Sequence, residues 1–498
     1  MRYFIGLALA LALSVMGCSE TAGTGGSGGS AGTGGMPECL IGSDCDDGNQ
    51  CTSDWCTDGI CEFRERDDGT SCAVGPQSTP WGEGLCIAGS CRVLCETAED
   101  CADFNECTAE MCTPFDGDAL CDFTPVADQT PCAGGTCQSG SCDLAGSVLP
   151  CTEQGIRNAI AAGGGPYTFD CDGPQSIVPE RFIVIDNSVI LDGESKLTLD
   201  GDSAPDLLVV LENVSAELRR LTVTGGGNGP CDELSDNCAG IANWGTLALA
   251  NVTLTDNGVG VLNGGTLTMT SCTVSENERN GIFNAETLTL TNSTVSGNGG
   301  DSGNGIFNGG NLTLMGVTLS GNETGVRSEG PTGPERNRLI VTNSTISGNA
   351  GYGIVSGQSE TVITYTTIAE NGFWGLWNGG SDLVGHGPMT VTKSIVADDC
   401  EDGPITSDGY NIESTGDTCG FDQGSDQVNV TAEQLGLGPL QDHGGPTMTH
   451  ALEAGSVAID RIPAVDCEVT TDQRGQPRPE TGGDACDAGS FERQPEDP

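Results

Sequence analysis

Five aromatic residues lie close together late in the chain: Tyr352, Tyr365, Phe373, Trp374 and Trp377. Flat aromatic faces are what sugar rings stack on, which makes Phe373, Trp374 and Trp377 candidate ligand-binding residues. The plainer alternative is that Trp377 occupies the position held earlier by Phe283 and Phe307 and continues their stack. A second candidate group follows. Asp398 and Asp399 come after a strand-like Ser394-Ile395-Val396, with His386 upstream. Two carboxyl groups cleave a glycosidic bond when one acts as acid and the other activates water or attacks. Adjacent residues on a strand face opposite ways, however, so only one of the two aspartates can face a groove. The basic residues between Arg181 and Lys393 never recur at equivalent repeat positions, as a substrate clamp or a lyase base would require. Asp398, Asp399 and His386 are therefore carried as catalytic candidates beside a non-catalytic reading.

A third group is acidic. Asp44, Asp46, Asp47, Asn49 and Asp54 offer oxygen ligands at the short spacing that Ca²⁺ loops use. The alternative is a solvated acidic loop, and no cofactor other than Ca²⁺ is implied. The whole chain has 71 acidic against 18 basic residues, net −53, which excludes nucleic acid and anionic membrane surfaces as partners.

The 26 cysteines are the fourth group. Cys18 ends an apolar run from Ile5 to Met16, in Leu13-Ser14-Val15-Met16-Gly17-Cys18. That run is too short to span a bilayer and reads as an export signal. Cys272 sits inside a repeat strand and reads as a lone buried thiol. The other 24 are an even number in an exported chain, so disulfides are expected. Sixteen form two copies of one module, from Cys39 to Cys91 and from Cys95 to Cys142, whose internal pairing the sequence leaves open. The last eight fall into local pairs, Cys151 with Cys171, Cys231 with Cys238, Cys400 with Cys419, and Cys467 with Cys486. Zinc is the competing reading; an oxidising compartment and three histidines disfavour it.

The elements that hold these groups follow from a repeat. An asparagine recurs at Asn257, Asn277, Asn298, Asn322, Asn349 and Asn371, at intervals of 20, 21, 24, 27 and 22 residues. Each repeat carries three short runs: Thr/Ser-aliphatic alternation, Gly-aliphatic-x-Asn/Ser, and Leu-Thr-Leu. Period-two alternation makes these strands, called here first, second and third in that order. Gly-Asn, Gly-Gly and Asn-Gly pairs supply the bends. Three strands per coil, repeating at this period, predict an all-β, right-handed parallel β-helix. The recurring asparagines are expected to bond coil to coil. Thr152 is expected to N-cap a short plug helix that buries Ile156, Ala159 and Ile160. His443 and His450 read as structural. Arg474 and Arg478 read as ion-paired to Asp472, Glu480 or Asp460.

The predicted organisation is 1–18 signal, 19–37 Gly/Ser/Thr-rich tether, 38–92 and 93–145 cysteine-rich modules, 146–397 capped β-helix and 398–498 C-terminal cap. Four resemblances add to this. Leu13 to Cys18 resembles a bacterial lipobox. It implies lipidation at Cys18, and Ser19 in place of Asp implies the outer membrane. Asp44-Cys45-Asp46-Asp47-Gly48-Asn49-Gln50-Cys51-Thr52 resembles the C-D-D-G-N-x-C-T repeats of myxobacterial surface proteins and slime-mould extracellular proteins. Cys151 to Ile160 is similar to the cap that precedes many bacterial surface β-helices. Gly438 to His450, Ala454 to Asp460, and Asp472 to Glu492 resemble the choice-of-anchor Q domain. Together these imply a pectin-lyase-like β-helix on a bacterial surface and no particular activity. The functional expectation is a lipid-anchored outer-surface protein that binds extracellular polysaccharide or surface proteins. A polysaccharide lyase or glycoside hydrolase is the alternative.

Overall fold

The computed structural model describes residues 45, 51–57, 60–67, 69–73, 83–88, 90–115, 118–202, 206–227, 239–300, 303–330, 336–379 and 386–497. Cys18, the tether, and Cys231 with Cys238 lie outside the described residues. The chain divides into two compact units, Met1–Leu94 and Cys95–Pro498.

In the first unit, Thr52–Thr57 pairs antiparallel with Ile60–Glu65, and Ser71–Ala73, Glu83–Ile87 and Ser90–Val93 form a second small sheet. Disulfides join Cys45–Cys61, Cys51–Cys86 and Cys72–Cys91. The second module repeats that connectivity as Cys101–Cys121, Cys107–Cys137 and Cys132–Cys142, and Cys95–Cys112 is formed beside them; Cys56 of the first module, the counterpart of Cys112, is likewise disulfide-bonded. Domains this small bury too little apolar surface to fold on a core alone, and the crosslinks supply the missing stability.

The second cysteine module is not a separate bead. It packs on helix α1 (Glu153–Ala162), which closes the N-terminal end of the solenoid. Gln154 donates to the Phe104 carbonyl at 2.8 Å, Asn158 donates to the Ala133 carbonyl at 3.0 Å, and the Arg157 guanidinium covers the Phe104 ring at 4.4 Å. The Thr152 hydroxyl accepts from the Gly155 amide as an N-cap, and Ile156, Ala159 and Ile160 are buried, as the sequence predicts.

The solenoid is built as expected. First and third strands join one 22-stranded parallel sheet, and second strands stack in a separate ten-stranded sheet. Aliphatic columns fill the bore: Leu254–Val274–Val295–Leu319–Ile346–Ile368–Val396 from the first strands, Val261–Ile282–Ile306–Val326–Ile354–Leu376 from the second. Each such side chain contributes about 1.5–3 kcal/mol by leaving water. The recurring asparagines form a directional ladder at the first-to-second corner. Each side-chain oxygen accepts from the backbone and amide N–H of the preceding rung, as Asn298 does from Asn277 at 3.2 and 2.8 Å. A second ladder at the second-to-third corner runs Asn243–Asn263–Asn284–Asn308–Ser328. Positive φ falls on the residue before each first-ladder asparagine, whether Gly (Gly297, Gly321, Gly348) or not (Asp256, Glu276, Glu370), and at the third-to-first bend.

The C-terminal region departs from expectation twice. The coils do not stop at residue 397: Cys400–Asp402, Ile405–Ser407, Ile412–Ser414 and Gln427–Val430 continue the parallel sheets, because main-chain pairing needs no repeat lettering. In the last coil Glu413 stands in register with Val396, and its carboxylate accepts from the Thr418 and Cys419 amides. Cys400–Cys419 fastens this end, with Cys419 and Phe421 buried in the core.

The remaining segment is no end plug but a lateral strap. It binds the first strands and third-to-first bends of the later coils. Thr318 donates to the Met448 carbonyl at 2.6 Å. Gln473 donates to Thr318 and accepts from Thr345, at 2.9 and 2.7 Å. Ser347 bonds His450 at 2.7 Å, and Ser490 bonds Thr367. The strap carries the disulfide Cys467–Cys486, and within it Arg474 pairs with Asp472 and Asp497. Arg478 pairs not with Asp472, Glu480 or Asp460 but with Glu492 at 3.0 Å, because Glu492 is the carboxylate buried beside it. Burial drives the Glu492 carboxyl up to about 7 and Asp487 up to about 6, and it drives the Arg478 guanidinium down.

Candidate functional site

The outward positions of the second strands form one column along the axis: Leu262, Phe283, Phe307, Arg327, Val355, Trp377 and Glu401. A parallel column places Asn304, Thr324 and Tyr352 side by side. Rungs of a parallel sheet are about 4.8 Å apart, so neighbours in a column touch when the side chains are large.

The aromatic cluster forms on this surface around Tyr352. Its ring lies 5.4 Å from Trp377 in a stacked pose, 5.5 Å from Trp374 and 5.6 Å from Phe373. Trp377 is in the Phe283/Phe307 column as expected, yet Arg327 and Val355 separate it from them, so it does not continue their stack. Phe283 and Phe307 stack on each other at 5.1 Å. The backbone accounts for Phe373 and Trp374. The Phe373 amide bonds the Gly351 carbonyl and the Gly353 amide bonds the Trp374 carbonyl, which fixes the turn so that both rings reach Tyr352. Phe373 is 61 % exposed, although two aromatic rings, Tyr352 and Trp374, lie beside it.

Tyr365 is not part of this surface. It sits at a third-to-first bend, fully buried beneath the strap, with Arg478 over its ring at 4.4 Å and its hydroxyl pushed up to about 12 by burial.

The catalytic candidates do not converge. Asp398 is the last rung of the first asparagine ladder: its carboxylate accepts from the Asn371 backbone and side-chain N–H at 3.2 and 2.8 Å. A terminal rung needs only to accept, so Asp serves where inner rungs require an amide donor. Burial raises the Asp398 carboxyl, against the lowering effect of these bonds. His386 lies at the opposite corner, bonded through Nδ1 to the Asn378 carbonyl at 2.8 Å. The second strand separates the two. Asp399 is exposed, and its amide carbonyl accepts from Gly375. The carboxylate beside the aromatic cluster is instead Glu401, exposed and in register with Trp377. Sequence reasoning missed it because Asp399-Cys400-Glu401 lacks the glycine that marks the second strands of the clear repeats, from Gly240 to Gly375. Arg327 was readable from Gly325-Val326-Arg327-Ser328; it pairs with Glu329 at 2.6 Å.

His443 and His450 are structural. Burial lowers both imidazoles, and His450 bridges Ser347 to the Gly438 carbonyl inside the strap contact. Of the proposed Ca²⁺ ligands, Asp44, Asp46, Asp47 and Asn49 lie outside the described residues, and Asp54 is on the strand facing Phe63. Among the described residues, the groups compact enough to hold a metal are cysteines already paired as disulfides. Cys272 is free and buried, its thiol raised to about 11.

Residues 237–396 match the family of right-handed β-helix regions. The psiK protein of Dictyostelium discoideum is 27 % identical over 146 residues, which are 28 % of this chain and 19 % of that protein. The chain thus spans about a fifth of that relative's length. Among solved structures, pectate lyase Pel9A is 15 % identical, with 67 % of this chain and 90 % of that one covered and a TM-score of 0.36. Tailspike protein 2 of bacteriophage CBA120 is 12 % identical over 70 % and 55 %, TM-score 0.35. The Streptococcus pneumoniae surface protein and adhesin PfbA is 12 % identical over 56 % and 92 %, TM-score 0.25. Likenesses this distant carry no chemistry to this chain.

Proposed function

We propose that this chain is a glycan-binding β-helix, displayed on the outer membrane through a lipid on Cys18 and binding without turnover. The aromatic cluster of Tyr352, Phe373, Trp374 and Trp377 carries the reading. Four rings from two coils gather at one surface position, three of them partly buried and Phe373 exposed, and aromatic rings are the chemistry that stacks on sugar C–H surfaces. The dispersal of Asp398 and His386 to opposite corners supports binding over hydrolysis. Surface proteins are the other class of partner, and Ca²⁺ at Asp44, Asp46, Asp47, Asn49 and Asp54 belongs to the same proposal.

Titrating the full chain with soluble polysaccharides while following tryptophan emission tests the binding claim. Trp377→Ala is expected to weaken binding about tenfold, the scale of one lost aromatic anchor. Unchanged affinity in that variant refutes the reading. Cys18→Ala is expected to move the protein from the membrane to the soluble fraction. A carbohydrate-active enzyme is the second reading, favoured by one observation: the exposed carboxylate of Glu401 beside Trp377. Release of reducing ends that vanishes in Glu401→Gln would establish it in place of the first.

A further inference from the structure

The column that carries Trp377 extends well beyond the aromatic cluster. Phe283 and Phe307 lie in the same outward column, stacked within 8° of parallel and half-buried. Three rungs separate Phe307 from Trp377, about 14 Å at the usual rise. The intervening rungs are not a gap. Arg327 stands next to Phe307, and Val355, itself buried, stands next to Trp377. The surface is therefore a strip parallel to the solenoid axis, aromatic at both ends.

The charge along this strip is as informative as its shape. Arg327 is the only cation in the column among the described residues. Its guanidinium is held by the Glu329 carboxylate, at 2.7 Å for Nε and 2.6 Å for Nη2. Glu401 then adds a carboxylate at the Trp377 end, within a chain of net charge −53. A polymer bearing a carboxylate on each sugar would meet repulsion at Glu401, and among the described residues of this column the one cation, Arg327, is already paired. A neutral polymer meets rings to stack on and charged groups to accept and donate hydrogen bonds to its hydroxyls.

Resting on the glycan-binding reading above, we infer that the ligand is a neutral, extended polysaccharide lying along the solenoid axis, bridging the Tyr352/Trp377 cluster and the Phe283/Phe307 pair. Two stacking positions on one rigid strip bind as linked sites, so affinity rises steeply once a chain is long enough to reach both.

The full chain is screened on an array of neutral and uronate-bearing polysaccharides. Oligosaccharides of rising length, cut from the strongest neutral hit, are then titrated by calorimetry. Neutral polymers are expected to bind, with a rise of at least tenfold at the length that spans about 14 Å. Phe307→Leu keeps apolar bulk and removes the ring; circular dichroism checks its fold, and Phe283→Leu serves as the second variant. Both are expected to lose the length-dependent gain, whereas Trp377→Ala weakens chains of every length. A preference for uronate polymers, or a length dependence that survives both leucine variants, overturns this inference and leaves the aromatic cluster as a single-site binder. Binding indifferent to Trp377→Ala, or no glycan bound at all, overturns the glycan reading itself.

Discussion

Asn298 sits in the middle of the first ladder, fully buried, and its removal shows what the recurring asparagine does. In Asn298→Ala the Asn277 backbone N–H and one Asn277 side-chain N–H lose their acceptor. The side chain keeps its weaker bond to the Leu254 carbonyl at 3.3 Å. Asn322 still receives the backbone N–H of residue 298, and the Val274 and Ser296 carbonyls lose only a second donor. Two orphaned buried donors at about 1–3 kcal/mol each give about 2–6 kcal/mol. A water in the vacated space can satisfy one of them, which leaves about 1–3 kcal/mol. Slopes in urea are about 1–3 kcal/mol per molar for small proteins and rise with chain length, so the midpoint is expected to fall by up to about 1 M. The comparison variant is Thr266→Ala, an exposed third-strand residue whose loss stays within about 0.5 kcal/mol. Denaturation followed by far-ultraviolet circular dichroism reads both. A midpoint for Asn298→Ala no lower than that for Thr266→Ala would refute the claim that the ladder holds coil to coil.

Two further outcomes follow from the acidic groups. Asp398→Asn replaces a carboxylate that burial disfavours with a neutral group that still accepts from Asn371. It is expected to leave stability at pH 8 equal or higher and glycan affinity unchanged; loss of any activity in this variant would return Asp398 to the catalytic candidates. The Glu492 carboxyl, raised from 4.5 to about 7, binds its proton more tightly in the folded chain than in the unfolded one. Its contribution is thus fully present below about pH 4.5 and is lost as pH rises towards 7, so the wild-type urea midpoint should fall across that window. Glu492→Gln should flatten the decline, and a slope parallel to wild type would disprove the assignment.

The sequence by itself determined whatever repeats or sits close in the chain. The asparagine intervals fixed the coil, the Thr-aliphatic alternation fixed which residues fill the bore, and Thr152 with Ile156, Ala159 and Ile160 marked the N-terminal helix. Short cysteine spacings pointed to Cys151–Cys171, Cys400–Cys419 and Cys467–Cys486, which the structure forms. Local periodicity is enough here because each coil bonds only to its neighbours. Tertiary structure alone decided the rest. Asp398 reads as half of a carboxylate pair until its bond to Asn371, 27 residues earlier, makes it a ladder terminus. Tyr365 reads as a neighbour of Trp374 until the strap buries it on another face. The strap joins residues 130 positions apart, such as Thr318 and Met448, through the matching of two surfaces rather than any pattern along one. No period in the chain encodes that match, and it is what covers the first strands of the later coils while Phe373, on the second-strand side, stays exposed.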